Sequence, residues 1–401
     1  MTHDPLLDAD VPGIFAFIRA HDTQDVTALG LKPMPDENWP RTAILDQIAA
    51  RQKARAKMPD WLEETDIVLP ATDVIEQASS PATARYKAGL TKPRGRAFAD
   101  ITAGAGVDTA ALAPHFQHGI CVEADGVTAR RLRSNLGCFF GQNAPAVRHS
   151  TAEDALDNLP PCDLVFVDPQ RRSDQGRVKG FKGSQPDITD LLPQLLDKSE
   201  CVLIKASPML DIASGCDQLS NVAHVHIVEY AGAVRELLFD CRRDATQDSI
   251  YVHAVVIDDT GHVQKSLEAD WPETSANPAY ADPARYIYEP APAVMKSRLF
   301  ASISAQHKLA KLAPATHLFT ADHYDATFPG HIYEIQDILP VDRRALKRAG
   351  IHRANLKCRN FPETPERLQT RLRLRDGGEE YLFACQLADG HYRLVHGRFS
   401  R

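Results

Sequence analysis

The chain has 401 residues, 43% hydrophobic and 25% charged, with a net charge of −7. This describes a core-forming protein of two to three domains and excludes one that is cationic throughout. The charge is uneven, with 19 Lys/Arg against 12 Asp/Glu from Arg285 onward, so a basic C-terminal module and an acidic remainder are expected to meet different partners. The eight cysteines are scattered with no CxxC pair, which supports neither a zinc ribbon nor a disulfide framework, so no metal is expected. "MTHDPLLDADVPG" has no basic, then apolar, leader pattern, and no apolar run approaches the roughly 20 residues of a membrane span. A cytoplasmic protein without membrane contact is expected.

Residues 1–90 read as a helical N-terminal region. "TAILDQIAARQKARAK" puts Ile44, Ile48 and Ala49 on one stripe with basic residues opposite. "DIVLP" reads as a short strand, and "SPATARYKAGL" as a helix with Ser80 as N-cap and Pro81 at its first position. Residues 91–260 change to alternating strands and helices. "AFADI", "GICVEAD", "AVRHST", "CDLVFVDP", "CVLIKA", "VAHVHIVEY" and "ELLFDCR" are seven predicted strands. Helical segments between the first five indicate a parallel α/β sheet, and the closing pair implies one antiparallel member. "YVHAVVIDD" adds a further strand. Residues 261–284, rich in Pro and Ala, read as a linker. Beyond it come strand "HIYEIQDIL", helix "DRRALKRAG" stopped by Gly350, strand "ANLKCRN", helix "TPERLQTRLRL" started by Thr364 and Pro365, and strands "EEYLFACQL" and "HYRLVHGRF". This is a compact α+β module.

"ADITAGAGVDTAAL" (99–112) raises the question of function, because a strand breaking into a glycine loop and then a helix commonly holds a nucleotide-like ligand. A dinucleotide fits poorly. Thr109 stands where a third glycine would be needed, and Asp100 would face an anionic pyrophosphate. S-adenosylmethionine (AdoMet) fits better, since its sulfonium and ammonium are cationic and Gly104 and Gly106 let the backbone approach. Glu123, ending the second strand, is placed for the ribose hydroxyls. Asp154, after the third, is placed for the adenine amino group, and Asp168, closing the fourth, for the reacting methyl. Four acids at four successive strand ends line the binding edge of an open sheet.

"DITAGAGVD", "VEAD", "AEDAL" and "VDPQRR" resemble motifs I to IV of class I AdoMet-dependent methyltransferases. "EQASSPATARYK", "IKASPMLDI", "RELLFDC", "YIYEP" and "RNFP…LRLRDGGEEYLF" extend the resemblance, over roughly residues 70–395, to a bacterial methyltransferase family with a C-terminal THUMP-like domain. The resemblance implies AdoMet as cofactor and a Rossmann-like core, with Asp100, Thr102, Gly104 and Gly106 in its loop. It also implies a ferredoxin-like segment at 285–328 and a THUMP-like domain at 329–401. THUMP domains proper bind RNA, so a structured RNA such as tRNA or rRNA is the implied acceptor.

Two acceptor atoms compete. Amino-group methyltransferases commonly place an aromatic after "DPP" or "NPP" to stack on a flipped base; "DPQRR" lacks it. A large family of RNA ribose 2′-O-methyltransferases uses a Lys-Asp-Lys-Glu set. "SPATARYK", "VDP", "LIKA" and "VRELLF" resemble its four positions, which implies Lys87, Asp168, Lys205 and Glu236 as catalytic. In that reading a lysine with a lowered pKa is the base and the two acids hold the ammonium groups. In the competing one Lys205 pairs with Asp168 for structure only, and Lys87 and Glu236 form surface salt bridges.

"QRRSDQGRVKGFKGS" leaves the sheet on the cofactor side, offering Arg171, Arg172 and Lys179 as a phosphate clamp or else a solvated loop. Residues 343–375 hold 11 Lys/Arg and two acids with Phe361 as the single aromatic, which favours backbone contact over base stacking. Ser207, in "KASPMLDI", either lines the acceptor pocket or caps a helix start above a buried Met209.

Overall fold

The computed structural model describes residues 3–8, 13–91, 95–170, 172–173, 176–177, 180–246, 250–273 and 278–400. The chain forms two compact units: Met1–Val225 with Arg235–Asp248 and Ile257–His262, and His226–Val234 with Ser249–Val256 and Val263–Arg401.

In the first unit the expected strands form at β1 (Gly95–Asp100), β2 (Phe116–Glu123), β3 (Ala146–His149), β4 (Cys162–Val167), β5 (Ser199–Ala206), β6 (Val222–Tyr230) and β7 (Ala233–Arg242). Their order is β6-β7-β5-β4-β1-β2-β3. Neighbours from β5 to β3 run parallel, and β7 runs antiparallel to β5. The register aligns Asp100 with Cys121 of β2 and Phe166 of β4. The C-terminal ends of the parallel strands therefore share one edge. The central strands read as continuous apolar runs because both faces are covered; Phe98, Val165, Phe166, Val202, Leu203 and Ile204 are all buried.

The N-terminal region is helical, with its longest helix at Arg41–Lys57. The stripe reading is corrected in detail, since Ile44, Gln47, Ile48, Ala50, Arg51 and Ala54 are the buried positions rather than Ala49. "DIVLP" is not a strand. Its apolar side chains Ile67, Val68 and Leu69 are buried as a strand's would be, but side-chain amides replace the ladder. Asn135 brackets the N–H and C=O of Val68 at 2.9 and 3.0 Å, and Gln47 those of Leu69 at 3.0 and 2.6 Å. Buried backbone groups need partners, not a sheet as such.

In the second unit the distal part of β6 is followed by β8 (Ile250–Ile257) and β9 (Val263–Trp271), in the order β9-β8-β6. The segment expected to be a linker thus contains a nine-residue strand. Only Leu267 of β9 is buried, so an apolar alternation never reached the sequence. The remainder forms a seven-stranded sheet. Its strands are β10 (Tyr286–Pro290), β11 (Ala310–Lys311), β12 (Phe319–Ala321), β13 (Gly330–Pro340), β14 (Asn355–Arg359), β15 (Glu380–Gln386) and β16 (Tyr392–Phe399), ordered β11-β12-β10-β13-β16-β15-β14. The pairing of β10 with β13 joins the expected ferredoxin-like and THUMP-like segments in one sheet. Helix Pro365–Leu372 is shorter than the sequence suggests, because Arg373 adopts a left-handed φ of 53° and ends it. No described helix is long and apolar enough to cross a membrane.

Candidate functional site

The loop after β1 turns through two left-handed glycines, Gly104 (φ 50°) and Gly106 (φ 85°). They do different work. A Cβ on Gly106 would lie 2.2 Å from Leu132 Cδ1, so this glycine lets the loop pack on helix Gly126–Phe140. A Cβ on Gly104 would meet nothing nearer than the Thr102 carbonyl at 4.0 Å, so the backbone there borders open space. Glu123 fixes the turn from the next strand end, accepting from Gly104 N at 2.9 Å and Asp125 N at 2.8 Å. Thr102 Oγ1 accepts from Asp168 N at 2.7 Å, tying the ends of β1 and β4 together. Asp154 is exposed on helix Ala152–Leu156, whose N-cap is Thr151.

Asp100 is placed differently from the expectation that it faces a cationic ligand. It is 0% exposed. One oxygen accepts from Thr102 N at 3.1 Å and the other from Thr109 Oγ1 at 2.6 Å. It braces the loop from beneath. Burial, reinforced by the charges of Asp108 and Asp168 and opposed by the two hydrogen bonds, raises its pKa to about 7. Thr109, read as a missing glycine, is the side chain that holds this acid.

The donor set suits AdoMet. A half-buried carboxylate, Glu123, retains lone pairs beyond its two backbone bonds, an exposed acid follows β3, and the loop backbone opens at Gly104.

Lys87, Asp168, Lys205 and Glu236 come together from four distant points of the chain. Lys205 Nζ donates to Asp168 Oδ2 at 2.6 Å. Lys87 Nζ lies 2.7 and 2.8 Å from the two Glu236 oxygens. Both pairs are partly or wholly desolvated. Lys87 is 0% exposed, which corrects the expectation of surface salt bridges. The side chains of Lys205 and Asp168 are 13% and 35% exposed, so this second pair is the one that opens to a ligand.

Sequence reasoning missed two members of the set. Asp108 lies 3.1 Å from Lys87 Nζ. Ser79 Oγ donates to Asp108 Oδ2 at 2.7 Å and accepts from Lys87 at 3.0 Å. The quoted "GAGVDT" and "EQASS" contain both, but nothing local marks either as facing Lys87. Burial pushes the Asp108 carboxyl up, and Lys87, Lys205 and Ser79 outweigh it, leaving its pKa lowered. For Glu236 burial wins over Lys87 and Lys205, and the pKa is raised. Burial alone would lower the pKa of Lys205, but Asp168, Asp108 and Glu236 together raise it. Lys205 therefore does not have the lowered pKa expected of a lysine base, because three carboxylates face it.

Arg171 and Lys179 lie outside the described residues, and only the backbone of Arg172 is described, in a two-residue antiparallel ribbon with 176–177. Ser207 Oγ accepts from Met209 N at 3.1 Å, capping its own turn. Met209 is 84% exposed, so neither half of the buried-Met alternative holds for it. In the second unit, helix Arg343–Arg348 presents Arg343, Arg344, Lys347 and Arg348 to solvent, as do Arg373 and Arg375 nearby, with no acid partner among the described residues. Lys357 and Arg359 instead pair with the buried Glu289, the latter at 2.8 Å.

Two family models match the C-terminal part: a ferredoxin-like domain at residues 286–329 and a THUMP domain-like family at 330–398. No curated protein sequence matches. Among solved structures, a protein of Porphyromonas gingivalis W83, provisionally named a methyltransferase, is similar over 100% of both chains at 27% identity and a TM-score of 0.89. The Escherichia coli protein YhhF, also provisionally named a methyltransferase, matches 45% of this chain and 92% of its own at 18% identity and a TM-score of 0.31. Mycoplasma-type TrmK (M. capricolum), solved with S-adenosylhomocysteine, matches 41% of this chain and 68% of its own at 11% identity and a TM-score of 0.32. These two are too distant to inform the site. The strand order, the loop, the matched C-terminal domains and the full-length similarity agree: the chain has a class I AdoMet-dependent methyltransferase core followed by a ferredoxin-like and a THUMP-like domain.

Proposed function

We propose that the protein methylates RNA at a ribose 2′-hydroxyl. The observation that carries this reading is the convergence of Lys87, Asp168, Lys205 and Glu236 into two ion pairs, one buried and one open, at the edge where the parallel strands end. When bound, AdoMet supplies a methyl group on a cationic sulfur. Thr102, Gly104 and Gly106 border its methionine end, Glu123 accepts from the ribose hydroxyls, and Asp154 takes the adenine amino group. Asp100 acts through the loop it braces.

The acceptor hydroxyl must lose its proton as the C–O bond forms. Lys205 holds its own proton too firmly to take another group's, and Lys87 is out of reach. Asp168 is the accessible acceptor. Lys205 orients it through the 2.6 Å contact, and the proton passes from Asp168 to solvent. Proton transfer of this kind contributes about 10²–10⁴-fold, and positioning against an activated donor supplies much of the rest. The exposed cations of 343–375, set in a THUMP-like domain, suit a phosphate backbone.

One observation favours a base nitrogen as the second reading. An exocyclic amine needs an oxygen to orient its N–H rather than a strong base, and Asp168, held in place by Lys205 at 2.6 Å and 35% exposed, presents a carboxylate for that task. Nucleoside mass spectrometry decides between them. RNA from a strain lacking the protein is incubated with it and methyl-labelled AdoMet, then digested. A 2′-O-methylated nucleoside supports the first reading and an N-methylated base the second. Lys205→Met is expected to abolish transfer while leaving S-adenosylhomocysteine affinity nearly intact; full activity in that variant removes the role given to the Lys205–Asp168 pair.

A further inference from the structure

Helix Arg41–Lys57 is fixed against the cofactor loop. Ala50, Ala54 and Met58, at 1%, 0% and 0% exposure, share one packed cluster with Ala84, Ala105 and Val107. Trp61, just beyond, reaches the loop itself, since a Cβ on Gly106 would lie 3.6 Å from its ring. The cations along the end of this helix are not alike. Arg51 and Arg55 pair with Asp22 at 3.2 and 2.6 Å, and Lys53 pairs with Glu76. Lys57, half-buried, has no hydrogen-bond or ion-pair partner among the described residues. Its electrostatic neighbours include Lys205 and Arg235, and burial together with these two cations holds its ammonium below the usual lysine range. Of the two acids near it, Glu236 is committed to Lys87 and Glu76 is paired with Lys53.

A half-desolvated ammonium bonded to no carboxylate, whose nearby acids are taken by other lysines and which faces two like charges, is favoured by the arrival of an anion. The proposed acceptor brings one. A ribose 2′-hydroxyl sits on the carbon next to the one bearing the 3′-phosphodiester, so a hydroxyl presented to Asp168 carries a phosphate beside it. We propose that Lys57 binds the 3′-phosphodiester of the nucleotide being methylated, which makes the N-terminal helical region part of the RNA site. This rests on the RNA reading above.

The test uses the full chain with unfractionated bacterial tRNA and a short single-stranded ribo-oligonucleotide. Binding is measured over a salt series, with S-adenosylhomocysteine titrated separately as the check on folding. Lys57→Met is expected to weaken RNA binding about 5- to 10-fold, and to reduce the slope of log affinity against log salt by about 0.7. It should raise KM for RNA more than it lowers kcat, and leave S-adenosylhomocysteine affinity unchanged. Lys57→Arg keeps the charge and should bind RNA nearly as the wild type. Wild-type RNA affinity and salt slope in Lys57→Met overturn the proposal. So does Lys57→Arg failing as Met does with a displaced pH–rate profile, which would make the amine a proton carrier. A wild-type protein that binds S-adenosylhomocysteine but no RNA overturns the RNA reading, and this proposal with it.

Discussion

Asp100→Asn separates the bracing role of this acid from a ligand-facing one. Its pKa is raised from 3.8 to about 7, burial being the largest cause. A raised acid binds more protons folded than unfolded between those two values, so its contribution to stability is fully present below pH 3.8 and is lost as pH rises through about 7. The whole loss amounts to about 4 kcal/mol at roughly 1.4 kcal/mol per pKa unit. Most of this, about 3 kcal/mol, falls between pH 5 and pH 8. Asparagine cannot ionise, can still accept from Thr102 N, and lets Thr109 reorient to accept from its amide. The stability of Asp100→Asn relative to wild type, from urea unfolding followed by tryptophan fluorescence, should therefore rise by about that amount across this interval. A difference independent of pH, or one that falls toward alkaline pH, would refute the placement of Asp100 beneath the loop.

Lys87→Met leaves Glu236 and Asp108 buried without the cation bonded to them and should cost about 3–5 kcal/mol, read as a lowered unfolding midpoint; adding Glu236→Leu should recover part of it. Wild-type stability in Lys87→Met would mean the lysine is not buried as described. Gly106→Val meets both a left-handed φ and Leu132, and should lower stability by about 1–3 kcal/mol and abolish S-adenosylhomocysteine binding in calorimetry. Glu123→Ala frees two loop N–H groups and should weaken that ligand about 10- to 100-fold with little change in melting temperature; unchanged affinity would exclude Glu123 from the cofactor site.

What could be read in the sequence follows from the range of the signal. The seven core strands were legible because each is a run of β-branched and apolar residues bounded by turns, a pattern contained in a single window. The acids at their ends were legible for the same reason, since a strand end fixes where the following side chain sits. Where a segment's role depends on a distant partner, the window fails. "DIVLP" has the composition of a strand, yet Gln47 and Asn135, 22 and 67 residues away, supply its hydrogen bonds. β9 has the composition of a linker, yet it is a strand.

The charged set is the sharpest case of this limit. Family resemblance named Lys87, Asp168, Lys205 and Glu236 by type and order, but their charge states depend on depth and neighbours, which order does not encode. A lysine facing one carboxylate and a sulfonium could lose its proton. Lys205 faces Asp168, Asp108 and Glu236 and keeps it. Asp168 contributes most, and Asp108, a residue inside the quoted glycine motif whose carboxylate lies 3.1 Å from Lys87, adds to it. In the proposed mechanism the acids around Lys205 move the role of base from a lysine to Asp168, and that choice is what makes hydroxyl and amine acceptors separable by experiment rather than by motif.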